Sequence, residues 1–319
     1  MMKFTQWLMP LTVVAALGAT AAHAQQYPTK PVQLIAAGSA GTPTDIVSRA
    51  LAESLSAELG QRFVVDNRPS ANGAIAGEMV ATTEGDGYTL LTAASSVFSV
   101  MPHLNPQLPW KPLDDLTPVV MFGVAPLVIG VPPDSPYNTL EELVAAAKEQ
   151  PGDLTVGSFS LALGNLAALL LNEEAGIDLT FVGFGSSAEL LTAAMSGEID
   201  VIVNGIGPML PLFAAGSLKP IAVTNTSRYE TLPDTPTVSE TFPNYDAASW
   251  FGIFGPANMD EAARDTIASA VERIVEKPEI REQLLGLGAV VDVKKGADFA
   301  DLVRTDFERF GALIEKIPH

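Results

Sequence analysis

The chain is 319 residues long, carries a formal net charge of −19 and contains no cysteine. The lack of cysteine excludes disulfides, thiol nucleophiles, thiolate metal sites and a lipid anchor on an N-terminal cysteine. The negative balance repels nucleic acid and anionic lipid, so an anionic ligand would have to be held by local dipoles and hydrogen bonds.

The first 24 residues, MMKFTQWLMPLTVVAALGATAAHA, set one lysine before an apolar stretch from Trp7 to Gly18 and end in Ala22-His23-Ala24. This layout predicts a secretory signal cut after Ala24, with a mature chain starting at Gln25 outside the cytoplasm. The stretch is short and contains Pro10, which argues against a permanent membrane span. About 295 residues remain, enough for two α/β domains with separate cores.

Strand and helix patterns alternate from there. VQLIAA (Val32 to Ala37) reads as a buried strand, followed by a helix with Ile46, Val47, Ala50, Leu51, Leu55 and Leu59 at helical spacing and Gly60 as its stop. RFVVDN is the next strand, GAIAGEMVATT a small-residue helix, and Asp86-Gly87 turns the chain into the strand YTLLTAA. The longest apolar run of the mature chain, Val119 to Pro133, is broken by prolines and rich in Val and Ile, which suits two buried strands. Thr139 with Glu142, and Ser186 with Glu189, have capping-box spacing before the helices LVAAAKEQ and LLTAAMSG. LTVGS, LTFVGF, IDVIVNG and PIAVTN are strands, and LGNLAALLLNEEAG is a helix ending at Gly176. This order predicts an α/β fold with parallel-rich sheets flanked by helices.

In such sheets ligands sit at the carboxyl ends of strands, where helix N-termini point. The first loop of that kind is Ala37 to Asp45. Thr42 fits the N-cap, Pro43 the first helical position and Asp45 the third; Gly38 and Gly41 let the backbone approach a ligand, with Ser39 and Thr44 beside them. The second loop, Gly157 to Asn165, offers Ser158, Ser160 and Asn165. Phe184 stands before a helix start, Asn204 ends a strand, and Ser95 and Ser96 end another. From the local residues alone, an ordinary capped turn is the leading reading of each loop, and core filling that of Phe184.

An enzyme is hard to assemble from this chain. Its histidines are His23, His103 and His319, so a Ser-His-Asp triad has only His103 to use, and no nucleophile elbow lies near it. No cofactor motif and no paired-histidine or clustered-acid metal motif is present in the sequence.

Longer stretches carry a family resemblance. They include QYPTKPVQLIAAG, the block from TDIVSRALAE to EGDGYTLL with Asn67-Arg68-Pro69 inside it, WKPLDDLTPVV, GEIDVIVNG and LPDTPTVSETFPNYDAASWFGIFGPA. In order and spacing the chain resembles the Bug receptors, extracytoplasmic solute-binding components of tripartite tricarboxylate transporters. The resemblance runs from about Tyr27 to the C-terminal helix. It implies a type II-like periplasmic-binding-protein clamshell: domain 1 from 25–125 and 250–319, domain 2 from 126–249, crossings at PLVIGVP and SWFGIFGPA, and C-terminal helices packed on domain 1. It also implies a periplasmic receptor with a small carboxylate ligand in the cleft, bound by the two loops above, and membrane transporter subunits as partners, with no cofactor.

Several positions depart from the family pattern. The usual Pro-aromatic start of the first loop is Ala37-Gly38 here, while Thr44 and Asp45 match. Pro43 removes a backbone donor. Gly183-Phe184-Gly185-Ser186 stands where many members carry Pro-Tyr-Lys/Arg-Gly, and an acid common near Asn204 is absent. These changes point to a less polar or larger monocarboxylate, aromatic ones included. A ligand-dependent sensor is the alternative reading; a secreted hydrolase is a third, and requires His103 beside a serine in the cleft.

Overall fold

The computed structural model describes residues 27–69, 73–159 and 163–317. The predicted signal segment (1–24) and Ser160 lie outside the described residues.

The chain opens with β1 (Val32–Ala36), α1 (Pro43–Leu59), β2 (Phe63–Asn67), α2 (Ala74–Ala81) and β3 (Thr89–Ala94). Two single-turn helices, α3 (Ser96–Ser99) and α4 (Met101–Leu104), lead to β4 (Leu116–Ala125). Then come β5 (Leu127–Val131), α5 (Leu140–Glu149), β6 (Thr155–Phe159), α6 (Leu163–Ala175), β7 (Thr180–Phe184) and α7 (Ser187–Ser196). They are followed by β8 (Val201–Gly205), α8 (Ile206–Ala214), β9 (Lys219–Val223) and, after a long irregular segment, β10 (Ser249–Pro256). The chain closes with α9 (Glu261–Val275), α10 (Pro278–Gly286), β11 (Lys294–Lys295) and α11 (Gly296–Ile314).

Two sheets result, one per lobe. The first has the order β11-β4-β10-β3-β1-β2 and the second β7-β6-β8-β5-β9. Strands joined through helices pair in parallel: β1 with β2 and β3, and β6 with β7 and β8. The strands that carry the chain between lobes run the other way. β10 is antiparallel to β3 and β4, and β5 to β8 and β9. Both sheets are therefore mixed. Direction is set by the two crossings, and alternation of strand and helix says nothing about those.

Each sheet is covered on both faces. In the first lobe Leu51, Leu55, Ile267, Val271 and Leu284 cover one face, and Phe98, Trp110, Phe254 and Phe299 the other. In the second, Leu143, Leu166 and Leu171 pack on one side, and Leu190, Met209 and Tyr229 on the other. Both-face burial explains the near-continuous apolar runs of these strands.

The crossings are fixed from two directions. The Thr224 side chain, fully buried after β9, accepts from the Leu127 N–H (2.9 Å) and lies 3.0 Å from the Ala247 carbonyl, clasping one crossing to the other. The last helix spans both lobes. Its Phe299 and Val303 belong to the first lobe's core, while Phe310, Leu313 and Ile314 enter the second lobe's core. At about 1.5–3 kcal/mol per buried large apolar side chain, its far end is strongly held there. The C-terminal helices thus do more than pack on the first lobe.

Candidate functional site

The first loop is built by its own side chains. Thr42 caps α1 by accepting from the Asp45 N–H, and Pro43 occupies the first helical position. The Thr42 hydroxyl donates to the Ser39 carbonyl at 2.7 Å, closing the loop on itself. Gly41 has φ +83°, a conformation that favours glycine, and its N–H donates to Asp45 Oδ2 at 2.8 Å. Gly38 is needed for closeness: a Cβ there would stand 2.6 Å from Thr42 Oγ1. Asn67, at the end of β2, donates to the Gly38 carbonyl at 3.0 Å.

Asp45 is 4% exposed and is committed to the loop. It also pairs with Arg49 Nε at 2.9 Å, and Arg49 in turn donates to Asn67 at 2.8 Å. Burial pushes the Asp45 carboxyl up, but the Gly41 N–H, Arg49 and Asn67 outweigh it and hold the group below the ordinary carboxylate range. Asp45 therefore stays ionised and shapes the cradle. The N–H groups of Gly38, Ser39, Ala40 and Thr44 donate to no acceptor among the described residues. Ser39 is exposed, and Thr44 is buried at the helix start.

Neighbouring strand ends join this loop. The αL-conformed Gly73 before α2 sits between Ala37 and Val97, where a Cβ would meet Val97 Cγ2 at 2.8 Å. Ser95 (1% exposed) lies 3.3 Å from the Ser249 hydroxyl and donates its N–H to the Trp250 carbonyl, so it links β3 to the return crossing. Ser96 is half-buried at the start of α3.

The second lobe presents a matching set. Ser158, on β6, is 1% exposed and its Oγ has no partner among the described residues. Gly164, at the start of α6, lies directly over that hydroxyl. Asn165 follows it, 5% exposed. Asn204, at the end of β8, accepts from the Gly205 N–H at 2.9 Å, leaving its buried Nδ2 with no acceptor among the described residues. Phe184 ends β7 but packs with Phe159, Val182 and Leu190 on the α7 face, its ring 3.0 Å from where a Gly157 Cβ would be. The structure thus gives Phe184 packing partners and leaves Ser158 and Asn204 with polar hydrogens to offer.

Within each sheet the strand order groups these loops on one side of the crossing strand. β3, β1 and β2 lie beyond β10 in one sheet, and β8, β6 and β7 beyond β5 in the other. The candidate loops thus follow strands set on the same side of the crossing strands in each sheet, at the strand ends where open α/β sheets bind ligands.

His103 lies elsewhere. Its Nε2–H donates to the Phe307 carbonyl at 2.8 Å and its ring stacks on Phe307 of α11. Among the described residues no serine hydroxyl bonds to His103. No group of three or more metal-ligating side chains occurs among the described residues.

The buried clasp Thr224 was missed in the sequence, because a lone threonine after a strand gives no signal of its partners. Also missed was the capping box of Thr237 and Glu240, formed with both reciprocal bonds and carrying sequence spacing that could have revealed it.

Comparison with known proteins agrees with this architecture. Residues 47–318 match the family model described as "Tripartite tricarboxylate transporter family receptor". The chain is 32% identical to a UPF0065 protein of Bordetella bronchiseptica, over 97% of this chain and 92% of the relative. A TctC solute binding protein from Polaromonas superposes with a TM-score of 0.85 at 26% identity, covering 91% of this chain and all (100%) of that one. The R. palustris protein Rpa4515, solved with adipate, superposes with a TM-score of 0.71 at 27% identity, covering 91% and 97% of the two chains. The two-lobed fold, the paired loops and these matches together make the chain a member of the tripartite tricarboxylate transporter receptor family, the periplasmic solute-binding proteins also known as Bug receptors.

Proposed function

We propose that the protein captures a small organic carboxylate between its lobes and delivers it to the membrane subunits of a tripartite transporter. The observation that carries this reading is a set of polar hydrogens, in the strand-to-helix loops of both sheets, that lack acceptors among the described residues: the N–H groups of Gly38 to Ala40, Ser158 Oγ and Asn204 Nδ2. These are neutral donors, and Arg49 beside them is committed to Asp45 and Asn67. Such a set suits an anion held by oriented dipoles at helix starts. The adipate held by the Rpa4515 protein supports the same ligand class.

In this reading the hinge lies at Ala125-Pro126 and Ser249-Trp250, with 25–125 and 250–319 forming one lobe and 126–249 the other. Closure is selected by contacts the ligand makes with both lobes at once. The signal is cut after Ala24 and the mature chain works in the periplasm as a receptor, not an enzyme. Gly38, Ser39, Gly41, Thr44, Ser96, Ser158, Ser160, Asn165 and Asn204 contact the ligand or shape its cradle, and Thr42, Asp45 and Ser95 hold the loops.

Calorimetric titration of the mature chain with aliphatic and aromatic mono- and dicarboxylates tests this. One class is expected to bind with 1:1 stoichiometry. Asn204→Leu removes the free donor and is expected to weaken that binding about tenfold, with the fold intact by circular dichroism. Equal affinity in Asn204→Leu and Ser39→Trp would overturn the assignment of the cleft.

A further inference from the structure

A cavity of about 380 Å3 lies beside the crossings, away from the candidate loop residues. Its walls come from β4, β10, β11 and α11 of the first lobe and from the segments that follow β9 and precede β10. In the strand order, β11 and β9 stand at the edges away from the candidate cleft. Both lobes therefore line this cavity, and none of the candidate loop residues does.

The chemistry of this cavity differs from that of the cleft. Asp246, Asp292 and Asp306 line it, with Lys294 as the one cationic lining residue. Lys294 stands 3.7 Å from Asp292, and both are partly exposed. Asp306, 2% exposed, accepts from Trp250 Nε1 at 2.8 Å and from Arg309, so that carboxylate is matched. Asp246 forms no ion pair among the described residues. Burial pushes the Asp246 carboxyl up, with Arg309 and Lys294 opposing the shift from a distance.

An independent feature points the same way. Asn225 lines the cavity, is 5% exposed, and its Oδ1 has no hydrogen-bond partner among the described residues. Its Nδ2 reaches only Ser227 Oγ, at 3.4 Å. A buried amide oxygen without a donor is costly, and a half-buried carboxylate without a cation is costly to a lesser degree. The cavity therefore offers one unmatched negative charge and one unmatched neutral acceptor. A ligand that satisfies both carries a single positive charge and at least two N–H donors. A phosphate or carboxylate would meet like charge here.

We propose that this cavity is a second ligand site, specific for a small organic ammonium ion whose N–H groups donate to the Asp246 carboxylate and to Asn225 Oδ1. The site is separate from the carboxylate cleft and stands whether or not that cleft takes a carboxylate. Its walls belong to both lobes, so an occupant sits where the lobe angle is set.

Trp250 lines the cavity and supplies a direct probe. From Gln25 onward the chain has two tryptophans, Trp110 and Trp250, so the indole N–H resonances number two and Trp250→Phe assigns them. The ¹⁵N-labelled mature chain is titrated with propylammonium chloride, and in parallel with tetramethylammonium chloride, which has the charge but no N–H donor. The expected result is a saturable shift of the Trp250 indole with propylammonium alone, Trp110 staying in place. Asp246→Asn is expected to weaken the affinity about tenfold, and Asn225→Ala measurably, with dispersed spectra showing that both variants fold. The proposal is overturned if propylammonium gives no saturable shift, if tetramethylammonium gives the same shift, or if both variants bind as the wild type does.

Discussion

Gly164→Ala is a demanding perturbation of the candidate site, because it adds one methyl at the first turn of α6. By helix propensity alone the change stabilises by about 0.5–1 kcal/mol. The structure reverses that sign. The new Cβ would fall well inside contact distance of Ser158 Oγ and 2.9 Å from the Val203 carbonyl oxygen. Rotation of the serine relieves the first contact only, since Ser158 Cβ remains at 3.2 Å and Val203 presents backbone. The start of α6 must therefore move away from the sheet. Overpacking of this kind costs about 1–3 kcal/mol, so the net effect is a loss of roughly 1–2 kcal/mol. At about 2–4 °C per kcal/mol for a chain of this size, the melting temperature falls by roughly 2–8 °C. The same movement displaces Ser158 and Asn165, so carboxylate binding should weaken far more than stability does. Thermal melts with and without ligand measure both, and Ser158→Ala in the same background should recover part of the stability. A Gly164→Ala protein as stable as wild type, with unchanged binding, would refute the packing argument.

Other expectations follow the same logic. Gly77→Ala in α2 also runs against propensity, because its Cβ would enter the buried ring of Trp110; urea unfolding should show a loss of more than about 1 kcal/mol. Thr224→Val strips the Leu127 N–H of its acceptor and should cost about 2–3 kcal/mol in the same assay. The carboxylates give opposite pH signs. Asp45 is lowered, so its stabilisation is present above about pH 4 and is lost as pH falls through its folded value. Asp246 and Asp306 are raised, chiefly by burial, so their contribution is full below about pH 4 and is lost as pH rises through their folded values. Asp306→Asn should make the fall in stability above pH 4 shallower, measured as the urea midpoint against pH.

Much of the scaffold was legible in the residues. Thr42, Pro43 and Gly60 bounded α1, and Gly60 does end it with φ +70°. The apolar run Val119 to Pro133 did become two strands, β4 and β5. The boxes expected at Thr139 and Ser186 are half-formed. Each hydroxyl accepts the third residue's N–H, but Glu142 turns back to the Asn138 N–H at 2.7 Å instead of that of Thr139. α8 (IGPMLPLFA) escaped notice because it is apolar all round and holds Pro211 inside. Strand direction at the crossings escaped too, since an apolar run has no polarity. The loops were found by strand-to-helix position. Which polar atoms within them are already used was not legible, because that depends on partners such as Asn67 and Arg49, brought in by folding. The hinge cavity was invisible for the same reason: Asn225, Asp246 and Asp306 meet only in three dimensions.

The most direct test of the receptor reading is a crystal structure of the mature chain grown with the tightest-binding carboxylate from the calorimetric panel. Ligand density between the Gly38–Asp45 loop and Ser158, Asn165 and Asn204, with the lobes closed on it, is the predicted result. Density confined to the outer hinge cavity or the protein surface, with the facing loops unoccupied, would contradict it.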